Sequence, residues 1–280
     1  MKFVKMQAVG NDYIYISHEQ TFGLDIKSLA QNLSRRRFSV GSDGIITVEK
    51  VDDTTVKMRI FNADGSEGQT CGNGVRCSAV FAQRYMGIKG NTITVLTKSR
   101  PATVTIFCNT DYPFKQTQTG IAYAKADMGS ATICKKGDFL CENLQKVGLY
   151  IDRHNVLGVN VGNEHLVFFT EEPIKRLSDC VENCGIFKDG VNIERVFKTE
   201  LIDKNRYRLH AEIYERGSGK TLSCGSGAVG IARAFAEREG ALNENASFEI
   251  ITEGGSLFVT FKGDLATLYG EVVEVYKGEL

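Results

Sequence analysis

Cysteine is set twice in the same small frame. The stretch TCGNGVRC runs from Thr70 to Cys77 and SCGSGAVG from Ser223 to Gly230, so a hydroxyl residue, a cysteine and Gly-x-Gly recur 153 positions apart (224 − 71). Small and apolar residues follow each at helical spacing, Val75, Ala79, Ala82 and Met86 after the first and Ala228, Ile231, Ala232, Phe235 and Ala236 after the second. Both cysteines are therefore expected in the first turn of a helix, with Gly87 and Gly240 as stops. A helix start offers N–H groups that no carbonyl of the helix accepts and the positive end of a dipole, and glycine lets an anion approach them. The same field favours thiolate, so both thiol pKa values are expected to fall. Two such units sharing one ligand could hold a carboxylate on their amides while one sulfur removes the α-proton and the other returns a proton to the opposite face. That inverts an amino acid centre without a covalent intermediate. A plainer reading, a structural thiol packed at a helix start, suits any single cysteine, but it does not explain why both glycines recur.

These motifs need scaffolds, and the scaffolds recur as well. A strand ending in IFNADGSEGQT precedes Cys71, and a strand ending in IYERGSGKTLS precedes Cys224. Each half thus reads strand, Gly-Ser turn, Cys-Gly-x-Gly, small-residue helix, which is the mark of an internal duplication. Strand texture is read at Gly44 to Lys50, Thr55 to Asn62, Thr92 to Lys98, Ala102 to Asn109, Val156 to Gly162, His165 to Thr170, Arg206 to Glu215, Phe248 to Thr252, Leu257 to Phe261 and Val272 to Tyr276. A further helix is expected over Ile26 to Arg36. The junction is placed near Thr117 to Gly120, with a first domain over 1–117 that regains the last strand, 269–280, and a second over 118–268.

Composition narrows the partners. With 280 residues the chain has room for two ordinary domains. Lys plus Arg number 34 and Asp plus Glu number 34, so no broad field invites nucleic acid or an anionic membrane. A small neutral or zwitterionic ligand fits better. No apolar run approaches the roughly 20 residues of a spanning helix, and Gln7, Asn11 and Asp12 interrupt any signal-like start, so a cytoplasmic location is expected. There the eight cysteines should be free thiols. Cys180 and Cys184, like Cys134 and Cys141, lack the spacing of a zinc site, and no metal is expected.

At this point the chain resembles the diaminopimelate epimerase family, cofactor-independent amino acid epimerases of the lysine and peptidoglycan pathway. The resemblance rests on MQAVGNDYI (Met6 to Ile14), NADGSEGQTCGNGVRC (Asn62 to Cys77), ADMG (Ala126 to Gly129), GNEH (Gly162 to His165), VN (Val191 and Asn192) and ERGSGKTLSCGSGA (Glu215 to Ala228). It implies an α/β (α+β) fold of two pseudo-symmetric domains, each a curved mixed β-sheet around a central helix, with the site in the cleft between them. It implies Cys71 and Cys224 as the acid and base, with His165 and Glu215 supporting them. Asn11, Asn62, Asn163, Asn192 and Arg216 would hold the distal amino and carboxylate groups, and the amides of Gly72, Asn73, Gly225 and Ser226 the reacting carboxylate. Glu215 belongs to both sets. No cofactor is implied, and relatives are often homodimers.

Two positions depart from the family. Glu164 stands where proline is usual, which puts substrate identity in question more than reaction type, and Gly44 stands where some relatives carry Gln. Rival readings remain: racemisation of another amino acid on the same fold, a cysteine hydrolase or acyl transferase using Cys71 with an oxyanion hole of helix-end amides, or a non-enzymatic thiol module. Asn11, Asn163 and Asn192, read singly, are more often turn formers, Arg216 a surface residue, and His165 a satisfied core histidine.

Overall fold

In a computed structural model of the chain, residues 1–68, 71–107, 121–188 and 190–280 are described. They divide into two compact units, Met1–Asp127 with Tyr269–Leu280, and Met128–Leu268. The junction expected at Thr117 to Gly120 lies outside the described residues.

The first unit holds β1 (Lys2–Ala8), β2 (Asn11–Ser17), α1 (Ile26–Leu33), β3 (Gly44–Lys50), β4 (Thr55–Asn62), β5 (Glu67–Gly68), α2 (Gly72–Tyr85), β6 (Thr92–Leu96), β7 (Pro101–Phe107) and β8 (Ile121–Ser130). Neighbours in the sheet run β1, β2, β3, β4, β6, β7, β8, parallel only at β2/β3 and β4/β6. A parallel pair needs a long crossover between its strands, and the chain supplies α1 for the first and α2 for the second. α1 covers one face, where Ala30 and Leu33 join Phe3, Ile14, Ile16, Ile45 and Phe61 in one core. α2 packs on the other, against β1 to β4, β6 and β7.

The second unit repeats this order with β9 (Thr132–Lys135), α3 (Gly137–Gln145), β10 (Val156–Asn160), β11 (Glu164–Phe169), α4 (Ile174–Asn183), β12 (Asn192–Asp203), β13 (Arg206–Glu215), β14 (Gly219–Thr221), α5 (Gly225–Glu239), β15 (Ser247–Thr252) and β16 (Gly255–Lys262). Its neighbours run β9, β10, β11, β12, β13, β15, β16, parallel at β11/β12 and β13/β15, whose crossovers are α4 and α5. α4 buries Leu177 and Val181 against Leu166, Phe168 and Ile193. α5 packs against β9 to β12, β15 and β16. The last strand, β17 (Leu265–Glu279), pairs antiparallel with β1 and also with β8, so the sheet of the first unit closes on itself.

The two thiol-bearing helices are buried nearly all round. Every residue of α2 from Gly72 to Ala82 is buried, as is every residue of α5 from Gly225 to Ala236 except Ser226. A helix enclosed by sheet has no polar face, and the small residues Gly, Ala, Ser and Cys, which fill most of these positions, let strands approach from several sides. Their stops follow the sequence: Gly240 caps α5 in the left-handed region at φ 64°, and Gly87, just past α2, has the same φ.

Some elements differ from the sequence reading. α1 ends at Leu33 rather than Arg36, because Ser34 caps it and Arg37 has φ 72°, which a helix does not admit. The expected strand Val272 to Tyr276 lies in the second half of the longer β17, and β1, β2, β5, β8, β9, β12, β14, α3 and α4 join the list. Among the described residues, no helix is long and apolar enough to cross a membrane.

Candidate active site

In the first unit, Cys71 is the N-cap of α2, and its sulfur accepts the Gly74 N–H at 3.3 Å. The thiol in turn donates to Asn11 Oδ1 at 3.3 Å. Asn11 is aimed by a tight turn: Val9 (φ 53°) and Gly10 (φ 82°) join β1 to β2 with both residues in the left-handed region. For a β-branched residue this conformation costs on the order of 1–2 kcal/mol. The Asn11 amide donates to Asp43 Oδ2 at 2.9 Å, which leaves its carbonyl oxygen for the thiol. Asp43 also accepts the Asp12 N–H at 3.1 Å and an Arg36 contact at 2.9 Å, and Lys5 lies 2.6 Å from Asp12. Burial, and then the neighbouring Asp12, raise the Asp43 carboxyl above its ordinary value. Asn62 donates to the Ser66 hydroxyl at 3.0 Å across the turn that follows β4. The Asn73 side chain faces inward, accepting Arg76 Nη2 at 2.8 Å.

Cys224 caps α5 in the same way, its sulfur accepting the Gly227 N–H at 3.4 Å with the Ser226 hydroxyl also at 3.4 Å. Its surroundings are anionic. Glu215, at the end of β13, is hydrogen-bonded to the Cys224 thiol and accepts Thr221 Oγ1 at 2.7 Å. Burial raises the Glu215 carboxyl. Burial, with Glu215 next, pushes the Cys224 thiol well above its ordinary range. The sequence expectation of a lowered value is thus reversed at Cys224, because desolvation and a carboxylate outweigh the helix field. His165 is buried, with Nδ1 2.6 Å from Glu194 Oε1 and Nε2 3.2 Å from Asn163 Oδ1. Asn192 accepts the Arg216 N–H at 3.0 Å and donates to the Glu164 carbonyl at 3.4 Å. Gly190 lies against the Arg216 side chain, since a Cβ there would stand 3.0 Å from its Cγ.

Sequence reasoning passed over Glu194. Its side chain is wholly buried, and Oε2 has no hydrogen-bond partner among the described residues. A Cβ on Gly227 would stand 2.8 Å from its Oε1, and one on Gly230 3.2 Å from His165 Cβ. The two glycines, one helical turn apart, thus make room on α5 for the Glu194–His165 pair.

The sequence profile for diaminopimelate epimerase matches residues 3–131 and 157–280. The chain belongs to the diaminopimelate epimerase family. It is 34% identical over 295 residues to the diaminopimelate epimerase of Caldanaerobacter subterraneus subsp. tengcongensis, covering 100% of this chain and 99% of that one. It is 30% identical over 291 residues to that of Bacillus licheniformis, covering 99% and 97%. Among solved structures it is similar to a PhzF-family phenazine biosynthesis protein of Bacillus anthracis (TM-score 0.72, 14% identity, 100% of this chain and 98% of that one). It is also similar to a probable proline racemase of Agrobacterium radiobacter (TM-score 0.65, 11% identity, 100% and 92%). At such identities the likeness speaks for the fold. Membership makes the chain an isomerase of the epimerase kind.

Within the diaminopimelate epimerase family, the two departures have physical accounts here. A Cβ at Gly44 would stand 2.1 Å from the Phe61 carbonyl oxygen, so this backbone leaves no room for a side chain. The charge of Glu164 is met by Lys135 Nζ at 3.1 Å, and that ammonium also lies 4.1 Å from the centre of the Phe187 ring.

Proposed function

We propose that the protein interconverts LL- and meso-2,6-diaminopimelate, with Cys71 and Cys224 as the paired base and acid on one α-carbon. The observation that carries the reading is the repeated helix cap: in each unit a cysteine sulfur accepts the N–H of the third following residue at the start of a buried helix. A thiolate takes the α-proton, and charge moves into the carboxylate. The amides of Gly72, Asn73, Gly225 and Ser226 receive that charge, which costs no reorganisation because the helices already hold them. The opposite thiol then gives its proton to the other face, which leaves the pair set for the reverse reaction until proton exchange with solvent restores the starting state. Asn11, Asn62, Asn163, Asn192 and Arg216 hold the distal amino and carboxylate groups, the guanidinium by paired hydrogen bonds.

Relatives named diaminopimelate epimerase over nearly the whole length support the substrate. The Lys135 contact supports it too, since Glu164 then adds no unbalanced charge beside Asn163. Cytosolic location, a homodimeric state and a place in lysine and peptidoglycan precursor synthesis rest on the family alone and belong to the same proposal.

The test is α-hydrogen exchange in heavy water by the reduced protein with diaminopimelate stereoisomers, proline and hydroxyproline. Exchange and inversion of diaminopimelate are expected, with Cys71→Ser and Cys224→Ser each lowering turnover by about 100-fold or more. Exchange with another amino acid alone would move the substrate. Turnover undiminished in Cys224→Ser would sink the two-thiol reading in favour of a single-sulfur enzyme.

A further inference from the structure

Sheet register lets one unit be compared with the other position by position. Gly44 is opposite Tyr13 and Asn62 in the first unit, and Asn192 is opposite His165 in the second, with Ile193 opposite Tyr214 and so Asn192 level with Glu215. Ile46 and Glu194 are then equivalent, each two residues further along its strand. The helices agree: a Cβ on Gly74 would meet Ile46 Cδ1 at 2.9 Å, and one on Gly227 would meet Glu194 Oε1 at 2.8 Å. Counting from each cysteine, Asn62 corresponds to Glu215 and Arg76 to Val229.

At four of these equivalent places the copies differ in a charged group or one able to carry charge: Tyr13 against His165, Ile46 against Glu194, Asn62 against Glu215, Arg76 against Val229. Arg76 is wholly buried, makes no ion pair among the described residues, and leaves Nε without a partner. Helical side chains lean toward the N-terminus, and its guanidinium reaches back to Asn73 Oδ1 at 2.8 Å and the Gly72 carbonyl at 3.4 Å, into the turn that Cys71 caps. The titratable groups facing it are Cys71 and Cys77 of α2, Tyr15 of β2 and Glu271 of β17, with Tyr13 near Tyr15. Those facing Cys224 are Glu215 of β13 and Glu194 of β12, with His165 of β11 near Glu215. Loss of the Cys71 proton gives up the bond to a neutral amide and sets an anion at the turn that the Arg76 guanidinium enters, where Arg76 has no ion pair among the described residues. Loss of the Cys224 proton sets a second anion against a carboxylate.

We propose that buried Arg76 holds Cys71 as the resting thiolate while Glu194 and Glu215 hold Cys224 as the resting thiol, so the free protein is poised for one direction of proton transfer. The proposal takes the two cysteines as the reactive pair of the preceding reading, but it concerns the protein without substrate.

The experiment is iodoacetamide labelling of the reduced, full-length protein over a pH series, with the Cys71 and Cys224 peptides quantified by mass spectrometry. The midpoint of each profile is read, because midpoints report charge where amplitudes report access. Cys71 is expected to reach its midpoint at lower pH than Cys224. R76Q should raise the Cys71 midpoint by about 1–3 pH units, the effect of one nearby opposite charge, while R76K leaves it in place. E215Q and E194Q should each lower the Cys224 midpoint. A Cys224 midpoint at or below that of Cys71 overturns the proposal, as does a Cys71 midpoint unmoved by R76Q. If R76Q does not fold, the wild-type order and the two Glu variants decide. Labelling needs no turnover, so a failure of α-hydrogen exchange would remove the functional reading and leave this result standing.

Discussion

At the scale of single residues, the second unit sets carboxyl groups beside its cysteine where the first sets an amide and a buried arginine. Glu194 and His165 are each fully buried and 2.6 Å apart, a contact that holds only while both polar partners are present. Removing one partner of such a pair costs on the order of 3–5 kcal/mol, because the other is left buried and unmatched. Glu194→Ala should therefore lower the urea midpoint sharply. Glu194→Gln keeps an oxygen for Nδ1–H and should fold with a smaller loss, yet turn over more slowly because His165 no longer leans on a fixed charge. Equal unfolding midpoints for the Ala and Gln variants would show that the hydrogen bond carries nothing.

At the scale of elements, glycine separates the two helices. Gly74→Ala adds a methyl beside the tip of Ile46, which can swing away, and Ala is favoured over Gly in a helix by about 1 kcal/mol. Gly227→Ala adds the same methyl 2.8 Å from an oxygen that His165 already holds. The first change should be neutral or stabilising and the second destabilising by about 1–3 kcal/mol, as overpacked cores are; thermal melts of the two variants check the difference in sign. These helices were legible in the sequence from start to stop, since Cys-Gly-x-Gly opens and Gly closes both. β3, β4, β13 and β15 were legible too, from β-branched runs. What was not legible depends on partners far along the chain. Glu194 sits in NIERVF, where the charged pair Glu194–Arg195 masks the strand, and only the crossover through α4 and pairing with β11 set it in the sheet and turn the side chain inward. Arg76 carries no signal of its own: the small residues around it suit a helix enclosed by sheet, but what its side chain meets there is set by strands far along the chain. α3 and α4 are short, and their apolar positions find their meaning only against the sheet.

At the scale of the whole molecule, buried acids set how stability responds to pH. The folded-state values of Glu215 and Asp43 are both raised, chiefly by burial, so each contributes most below the ordinary carboxyl range. Stability is then lost as pH rises from about 4.3 through the raised values. The raised Cys224 thiol acts likewise, with a second loss beginning as pH climbs past about 8.5, where the unfolded thiol ionises. Carboxyls held low by ion pairs and hydrogen bonds, Glu67 and Glu274 among them, act the other way in the first window, and buried Cys77 adds to the second, so each group's share is read as the difference in urea midpoint between wild type and variant across pH. Relative to Glu215→Gln the wild type should lose stability through the first window, and relative to Cys224→Ala through the second; differences that do not change with pH in both variants would refute the assignment.

The first unit is discontinuous: Tyr269–Leu280 completes it after the chain has passed through Met128–Leu268. During synthesis, β1 and β8 must therefore wait with bare backbone edges until β17 emerges, 135 residues after the end of β8 (265 − 130 = 135). Unsatisfied edges invite pairing with other chains. A chain cut before Tyr269 is thus expected to clump far more readily than the loss of a dozen residues suggests.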